Sequence, residues 1–202
     1  MQIIEPLLPG RLYHIYNCGI NGEDLFREKA NYEYFLRLYD LYIEPIAETY
    51  AWCLMKNHFH LIVRIKEDEG VERNNIIQTC QEKNLTGGHQ CFSNLFNRYA
   101  KSFNKMYGRH GSLFERPFKR KMIFNEIYLR TAILYIHNNP VHHSFAENTE
   151  DYFWSSYLTC ISQGHTKLKR EQVIDLFGNV ENFKYAHKEK VDIIKIENWL
   201  ME

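Results

Sequence analysis

The sequence has no Cys-x-x-Cys pair, and its five cysteines (Cys18, Cys53, Cys80, Cys91 and Cys160) are odd in number and scattered. That pattern argues against a zinc ribbon and a disulfide framework, and it fits a reducing cytoplasmic setting. No apolar run is long enough to span a bilayer. The first residues, Met-Gln-Ile-Ile-Glu-Pro, carry no basic segment ahead of an apolar one. Neither a membrane partner nor a signal peptide is expected. There is no internal repeat, no low-complexity tract and no G-x-x-x-x-G-K-[ST] loop, so nothing points to a solenoid or to a nucleoside triphosphate as energy source. Net charge is absent too, with 25 basic and 25 acidic residues. The balance is a sum of unequal parts. Between Arg98 and Lys121 eight lysines and arginines face Glu115 alone, a surplus of seven positive charges that the rest of the chain offsets. A basic block of this kind, interleaved with aromatics, is the composition of a phosphate-backbone contact surface.

What the chain does have is Lys56-Asn57-His58-Phe59-His60-Leu61-Ile62-Val63-Arg64-Ile65. In a strand, side chains two apart share a face, so His58 and His60 stand together while Phe59, Leu61, Val63 and Ile65 line the other side. The apolar side needs a core. The histidine side offers two imidazoles a few ångströms apart, which is half of a metal site.

The other elements follow from period and punctuation. Arg11 to Asn17 reads as a strand closed by Asn-Cys-Gly and Asn-Gly turn signals. Ala30 to Glu44 reads as a helix with Phe35, Leu38, Tyr39, Tyr42 and Ile43 on one stripe, bounded by Pro45. Glu48 to Met55 and His58 to Lys66 form a predicted hairpin, Tyr50, Trp52 and Leu54 alternating with Ala51, Cys53 and Met55. A short helix is expected near Ile76 to Lys83. Phe92 to Tyr107 is an amphipathic helix, with Phe92, Leu95, Phe96, Tyr99 and Phe103 opposite Arg98, Lys101 and Lys105. Pro117 to Phe124 is a fourth strand carrying Lys119, Arg120 and Lys121. Asn125 caps a helix from Glu126 to about Asn138, which Pro140 is expected to stop. The order β-α-β-β-α-β predicts an α+β, ferredoxin-like fold: a four-stranded antiparallel sheet with two helices on one face. The additional helix from Glu126 is then free to cover the face on which His58 and His60 project.

That helix places Ile127, Thr131, Tyr135 and Asn139 on one slowly drifting stripe. Tyr135 offers a phenolic oxygen able to attack phosphorus, and Asn139 one turn on offers an amide oxygen suited to Mg²⁺ or Mn²⁺. A helical tyrosine ordinarily packs, and an asparagine before proline is explained by a helix end, so spacing alone leaves both readings open. His137 points away from the Tyr135 stripe. Arg98, Lys101 and Lys105, at i, i+3 and i+7, could follow a DNA backbone together with Arg116, Lys119, Arg120 and Lys121.

Five segments in order resemble the single-tyrosine HUH transposases, and most closely their REP-associated branch. They are Met55 to Val63; Asn97-Arg98-Tyr99 through Phe103-Asn104; Gly111-Ser112-Leu113-Phe114-Glu115-Arg116-Pro117-Phe118; Tyr135-Ile136-His137-Asn138-Asn139-Pro140-Val141; and Trp154-Ser155-Ser156-Tyr157. The resemblance spans roughly residues 10 to 160. It implies a metal-dependent DNA strand transferase that cleaves and rejoins single-stranded, hairpin-bearing DNA through a 5′-phosphotyrosine, with Mg²⁺ or Mn²⁺ as cofactor. On this likeness His58 and His60 are the metal pair and Tyr135 the nucleophile. Asn139 falls where related enzymes often have glutamine; it keeps the amide oxygen and shortens its reach by one methylene. The family also allows a homodimer in which the tyrosine helix serves a neighbour's site.

These expectations divide the chain into a catalytic unit over residues 1–160 and a helical extension over 161–202, with helices at Thr166 to Phe177, Phe183 to Lys190 and Ile193 to Leu200. Other readings weigh less. A histidine-triad hydrolase needs a third histidine where Ile62 stands, and finger-like zinc spacing is absent. A replication-initiation or relaxase nuclease shares the chemistry but not the Tyr135-to-Pro140 segment. A domesticated, non-catalytic DNA-binding protein is the alternative from another class, and the retained His58, His60 and Tyr135 argue against it.

Overall fold

A computed structural model of the chain describes residues 5–67 and 87–189. The helices expected at Ile76 to Lys83 and Ile193 to Leu200 lie outside the described residues. Four strands, β1 (Leu12–Cys18), β2 (Ala47–Met55), β3 (His58–Ile65) and β4 (Lys119–Ile123), form one sheet in the order β2-β3-β1-β4, with every neighbouring pair antiparallel. Helices α1 (Lys29–Tyr42) and α2 (Gly87–Tyr107) pack together on one face. Helix α3 (Glu126–His142) covers the other. This is the ferredoxin-like arrangement expected from the element order, with the two histidine-bearing and apolar faces of β3 on the sides assigned to them.

The alternation in β3 decides which core each residue joins. Phe59, Leu61, Val63 and Ile65 are buried with Tyr13 and Ile15 of β1 under Phe35, Leu38, Phe92, Leu95, Phe96 and Tyr99. Each such side chain contributes about 1.5–3 kcal/mol of transfer free energy. Ile62 joins a second core with Ala51, Cys53 and Met55 beneath Leu129, Ile133 and Ile136 of α3. In β2 the alternation breaks once. A bulge between Thr49 and Ala51 moves Tyr50 into the α3-side core, away from Trp52 and Leu54, because the extra residue reverses the facing of everything before it.

Helix α3 begins as its sequence dictates, with the Asn125 side chain accepting the Tyr128 N–H at 2.9 Å. Its end differs from expectation. Pro140 lies inside the helix, which runs on to His142. A proline in the last turn forfeits one backbone hydrogen bond, and that loss does not reverse the chain direction. The reversal comes at Ser144, which adopts φ of 58°, and Phe145 N–H then bonds back to the Pro140 carbonyl at 2.8 Å. Helix α2 also extends further than predicted, starting at Gly87.

Three short helices follow: α4 (Tyr157–Ile161), α5 (Arg170–Asp175) and α6 (Val180–Lys188). Predicted α5 was longer than the helix observed, although Leu168, Val173 and Phe177 are buried as their spacing required. With Phe183 they extend the α3-side core outward over Ile133 and Ile136. Among the described residues no helix is long and apolar enough to cross a membrane, and Cys18, Cys53, Cys91 and Cys160 are free thiols.

Candidate active site

The first strand residues after the Lys56-Asn57 turn are His58 to His60, so the hairpin itself places two imidazoles at the end of the sheet. Their ring centroids are 5.3 Å apart and the planes are perpendicular. Asn57 Oδ1 lies 2.7 Å from His58 Nδ1. An amide oxygen only accepts, so His58 donates through Nδ1 and presents Nε2 as a lone pair. Register brings β1 alongside: Tyr16 opposes His60, and His14 opposes Ile62. His14 Nε2 and His60 Nδ1 share a 2.9 Å hydrogen bond. When His60 is the donor, its Nε2 also faces outward as a lone pair.

Burial keeps these imidazoles neutral. It lowers His58 to about 4, with the neighbouring His143 adding repulsion. It lowers His14 to about 3 and holds His60 well below the ordinary histidine range, where His14, His58 and His143 add to the effect. Neutral nitrogen with an available lone pair is the state a metal ligand requires.

Helix α3 supplies the remaining groups. The Tyr135 ring stands edge-on to His60, with centroids 5.5 Å apart, and edge-on to His14 at 6.5 Å. Asn139, one turn further and 1% exposed, lies beside His58 and favours its charged form. It makes no aligned hydrogen bond: both its amide oxygen and its amide nitrogen are buried without a partner. An unpaired buried amide costs about 1–3 kcal/mol, so the position asks for a ligand. Among the described residues no three His, Cys, Asp or Glu side chains converge on a cation site. The donor set that does converge is two imidazoles with one amide, and the residues fit a divalent ion on that basis.

The predicted basic residues divide by strand alternation. Register sets Lys119 opposite Tyr16 and Lys121 opposite His14, on the histidine face, with the Lys119 ammonium 5.8 Å from the Tyr16 ring centroid. Arg120 points the other way. Its guanidinium stacks 4.3 Å over Phe118, burial lowers it to about 10, and one of its terminal nitrogens has no partner. Arg98, Lys101 and Lys105 are exposed on α2, behind the sheet. Arg116 and Lys101 line a cleft of about 550 Å³ between α2 and residues 111–118. The seven cations therefore occupy two faces and an edge, not one stripe.

Four neighbours of the site escaped sequence reasoning. Asn57 and His14 orient the two histidines. Tyr16 stacks on His14 and His60. His143, exposed just past α3, has its ring 5.0 Å from His58. His14 and Tyr16 alternate on β1 as His58 and His60 do on β3, which is a signal once the two strands are known to be adjacent. His137 belongs elsewhere: it bonds Ser156 and His187 within the outer core.

No family model matches the chain. A Haemophilus influenzae protein described as a REP-associated tyrosine transposase is 27% identical over 112 residues, covering 54% of this chain and 58% of that protein. The structure of a REP-associated tyrosine transposase bound to a REP hairpin superposes with a TM-score of 0.59 at 16% identity, covering 83% of this chain and 89% of the other. The chain is similar to these two REP-associated tyrosine transposases, to one in part of its sequence and to the other in its fold. The structural likeness carries the fold, and the sequence match spans 58% of the length of the relative.

Proposed function

We propose that the chain is a metal-dependent, single-tyrosine DNA strand transferase that cleaves and rejoins single-stranded hairpin DNA. The observation that carries this reading is the seating of α3 over β3, with Tyr135 against His60 and the unpaired Asn139 amide beside His58. His58 and His60 through their outer nitrogens, and Asn139 through its amide oxygen, are the residues that would hold a divalent ion. Such an ion, when bound, polarises a non-bridging phosphate oxygen and offsets charge gathering on it. Carbonyl oxygen suits Mg²⁺ and Mn²⁺ alike, whereas two imidazoles weight the choice toward Mn²⁺.

Tyr135 Oη attacks phosphorus, the P–O3′ bond breaks, the phenolic proton leaves and the departing 3′ oxygen is protonated. The product is a 5′-phosphotyrosine and a free 3′-OH. A 3′-OH from another strand end then attacks the same phosphorus and displaces Tyr135, so bond energy is conserved and no nucleotide is consumed. Lys119 and Lys121, on the face where this happens, would neutralise phosphates next to the reacting one. Arg98, Lys101, Lys105 and Arg116 would hold DNA further along. Arg120, turned toward Phe118, is the weakest DNA contact of the set. Residues 1–160 carry all these groups, and 161–202 would act as an extension that buttresses α3. A homodimer is compatible with the chemistry.

The test is incubation with single-stranded hairpin DNA and Mn²⁺ or Mg²⁺, followed by denaturing electrophoresis. A covalent adduct absent from Tyr135→Phe supports the transferase. Binding with no adduct under any divalent ion supports a DNA-binding protein without catalysis.

A further inference from the structure

The cleft between α2 and residues 111–118 has a built interior that the strand-transfer chemistry does not use. It holds about 550 Å³, inside the range of small-molecule sites. Two rows of α2 side chains, each repeating every four residues, make one wall. His89, Ser93, Asn97 and Lys101 form the first row, and Phe96, Ala100 and Asn104 the second. Phe114 and Phe118 come from the opposite wall and meet Phe96 in the floor, each with its ring centroid 5.3 Å from that of Phe96. Glu115 and Arg116 stand exposed at the rim.

Some polar groups here are committed to the fold. Asn104 Nδ2 donates to the Gly111 carbonyl, its Oδ1 accepts from Arg109, and Asn17 Nδ2 donates to the Glu115 carbonyl. These bonds tie the loop to α2 and β1, so the cleft is shaped before any ligand arrives. The first row of α2 is not spent in that way. The Arg116 guanidinium reaches Asn97 Oδ1 only at 3.5 Å, and His89 Nδ1, on the ring stacked against Phe118, is buried without a partner. Ser93 stands between them on the same row.

The cleft lies behind the candidate active site, at the same end of the sheet. Tyr16 opposes His60 and Cys18 opposes His58; Asn17, between them on β1, turns to the other face and lines the cleft. Arg116 at the rim is three residues before Lys119, which stands on the histidine face, and three residues span at most about 10 Å. A DNA strand with one phosphate at His58 and His60 therefore reaches the cleft by rounding the start of β4. Bases in a duplex are stacked on one another, whereas an unpaired base can turn aside onto aromatic side chains. Lys101 and Arg116, against Glu115, leave the mouth net positive for the attached phosphate.

We propose that this cleft takes one unpaired nucleobase of the substrate strand, set on the floor of Phe96, Phe114 and Phe118, with Ser93 and Asn97 bonding its edge and Lys101 and Arg116 meeting its phosphate. The inference deepens the single-stranded DNA reading of the active site and rests on it. No covalent step occurs in the cleft. Its effect is on register: the nucleotide held there fixes which phosphate lies at Tyr135.

The experiment measures affinity of the full chain for hairpin DNA carrying a single-stranded flank, without divalent ion, while an abasic site is moved through the flank one position at a time. The same series is run on Ala100→Trp, which fills the cleft from its helical wall, with thermal midpoints recorded for both chains. The expected result is one position at which base removal weakens binding at least about fivefold, and a similar loss for Ala100→Trp on intact DNA. At that position the two losses should not add. Losses within about twofold at every position, or losses that add fully in Ala100→Trp, overturn the proposal. Should Ala100→Trp lower the thermal midpoint, the same cycle is run with Asn97→Ala on the exposed face of the helix. Free deoxynucleoside monophosphates are titrated in parallel; their binding with no abasic penalty in DNA would make the cleft a site for a free nucleotide and overturn the strand assignment. Adduct formation on the intact DNA with Mn²⁺ separates the two readings. An adduct with no abasic penalty sinks the cleft alone, and an abasic penalty with no adduct sinks the strand-transfer chemistry alone.

Discussion

Each histidine of the candidate site has a hydrogen-bonded neighbour, Asn57 for His58 and His14 for His60, and the Asn57 amide oxygen makes His58 Nδ1 the donor and leaves its Nε2 as a lone pair. Replacing such an orienting group in other metal sites costs about 10- to 100-fold in affinity. Asn57→Ala should therefore weaken Mn²⁺ binding by about tenfold in calorimetry while Tyr135 remains in place, and unchanged affinity would show that Asn57 does not orient His58. Acid should also act at this scale. His14 and His187 are depressed by burial to about 3 and about 4, so the folded chain binds fewer protons than the unfolded chain below the ordinary histidine pKa of about 6.5. Their contribution to stability is full above about 6.5 and is lost as the pH falls toward the folded values. Between pH 6.5 and 5 each should remove roughly 2 kcal/mol, read as a steep loss of urea stability. A flat profile would mean that these rings are hydrated.

Among the elements, β4 shows most plainly what alternation does. Lys119-Arg120-Lys121 reads as one basic run, yet the strand sends Lys119 and Lys121 to the histidine face and Arg120 to Phe118. Lys119→Ala and Lys121→Ala should each reduce the salt slope of DNA binding by about one. Arg120→Met should leave that slope unaltered and change stability by less than about 1 kcal/mol, because its guanidinium is already partly desolvated and incompletely paired. Equal effects of all three substitutions on DNA binding would refute the division. The facing of β3 was legible because its apolar and histidine positions differ so sharply. The bulge at Thr49 was not, since a bulge inserts one residue without altering composition. Nor was the register of β1 on β3, so His14 and Tyr16 remained unconnected to His60 until the sheet was assembled. Pro140 reads as a stop because it lacks an N–H, yet in a final turn that loss is tolerated and the helix runs on to His142.

At the scale of the whole molecule, α3 is held between two sets of contacts. Its inner side bears Tyr135 and Asn139 on the sheet, and its outer side bears His137, locked to the later helices. The Phe183 carbonyl accepts from His187 Nδ1, His187 Nε2 faces His137 Nδ1, His137 Nε2 faces Ser156 Oγ, and Ser156 Oγ accepts the Trp52 N–H. One direction of donation satisfies every member, and it requires both histidines neutral. This chain ties the C-terminal helices to α3 and to the sheet, so their docking sets where Tyr135 stands. Phe183→Ala should cost about 3–5 kcal/mol and slow adduct formation without touching any reacting group. The element order and the two faces of the sheet could be read from the chain, but this coupling could not, because it depends on residues 50 positions apart meeting at 2.9 Å. If α3 delivers Tyr135 to a phosphate held at His58 and His60, peptide mass mapping of the product formed with hairpin DNA and Mn²⁺ will find a nucleotide attached to Tyr135 alone, and none in His58→Ala or His60→Ala. Attachment to another residue, or an unchanged yield in both histidine variants, would exclude that role for the helix.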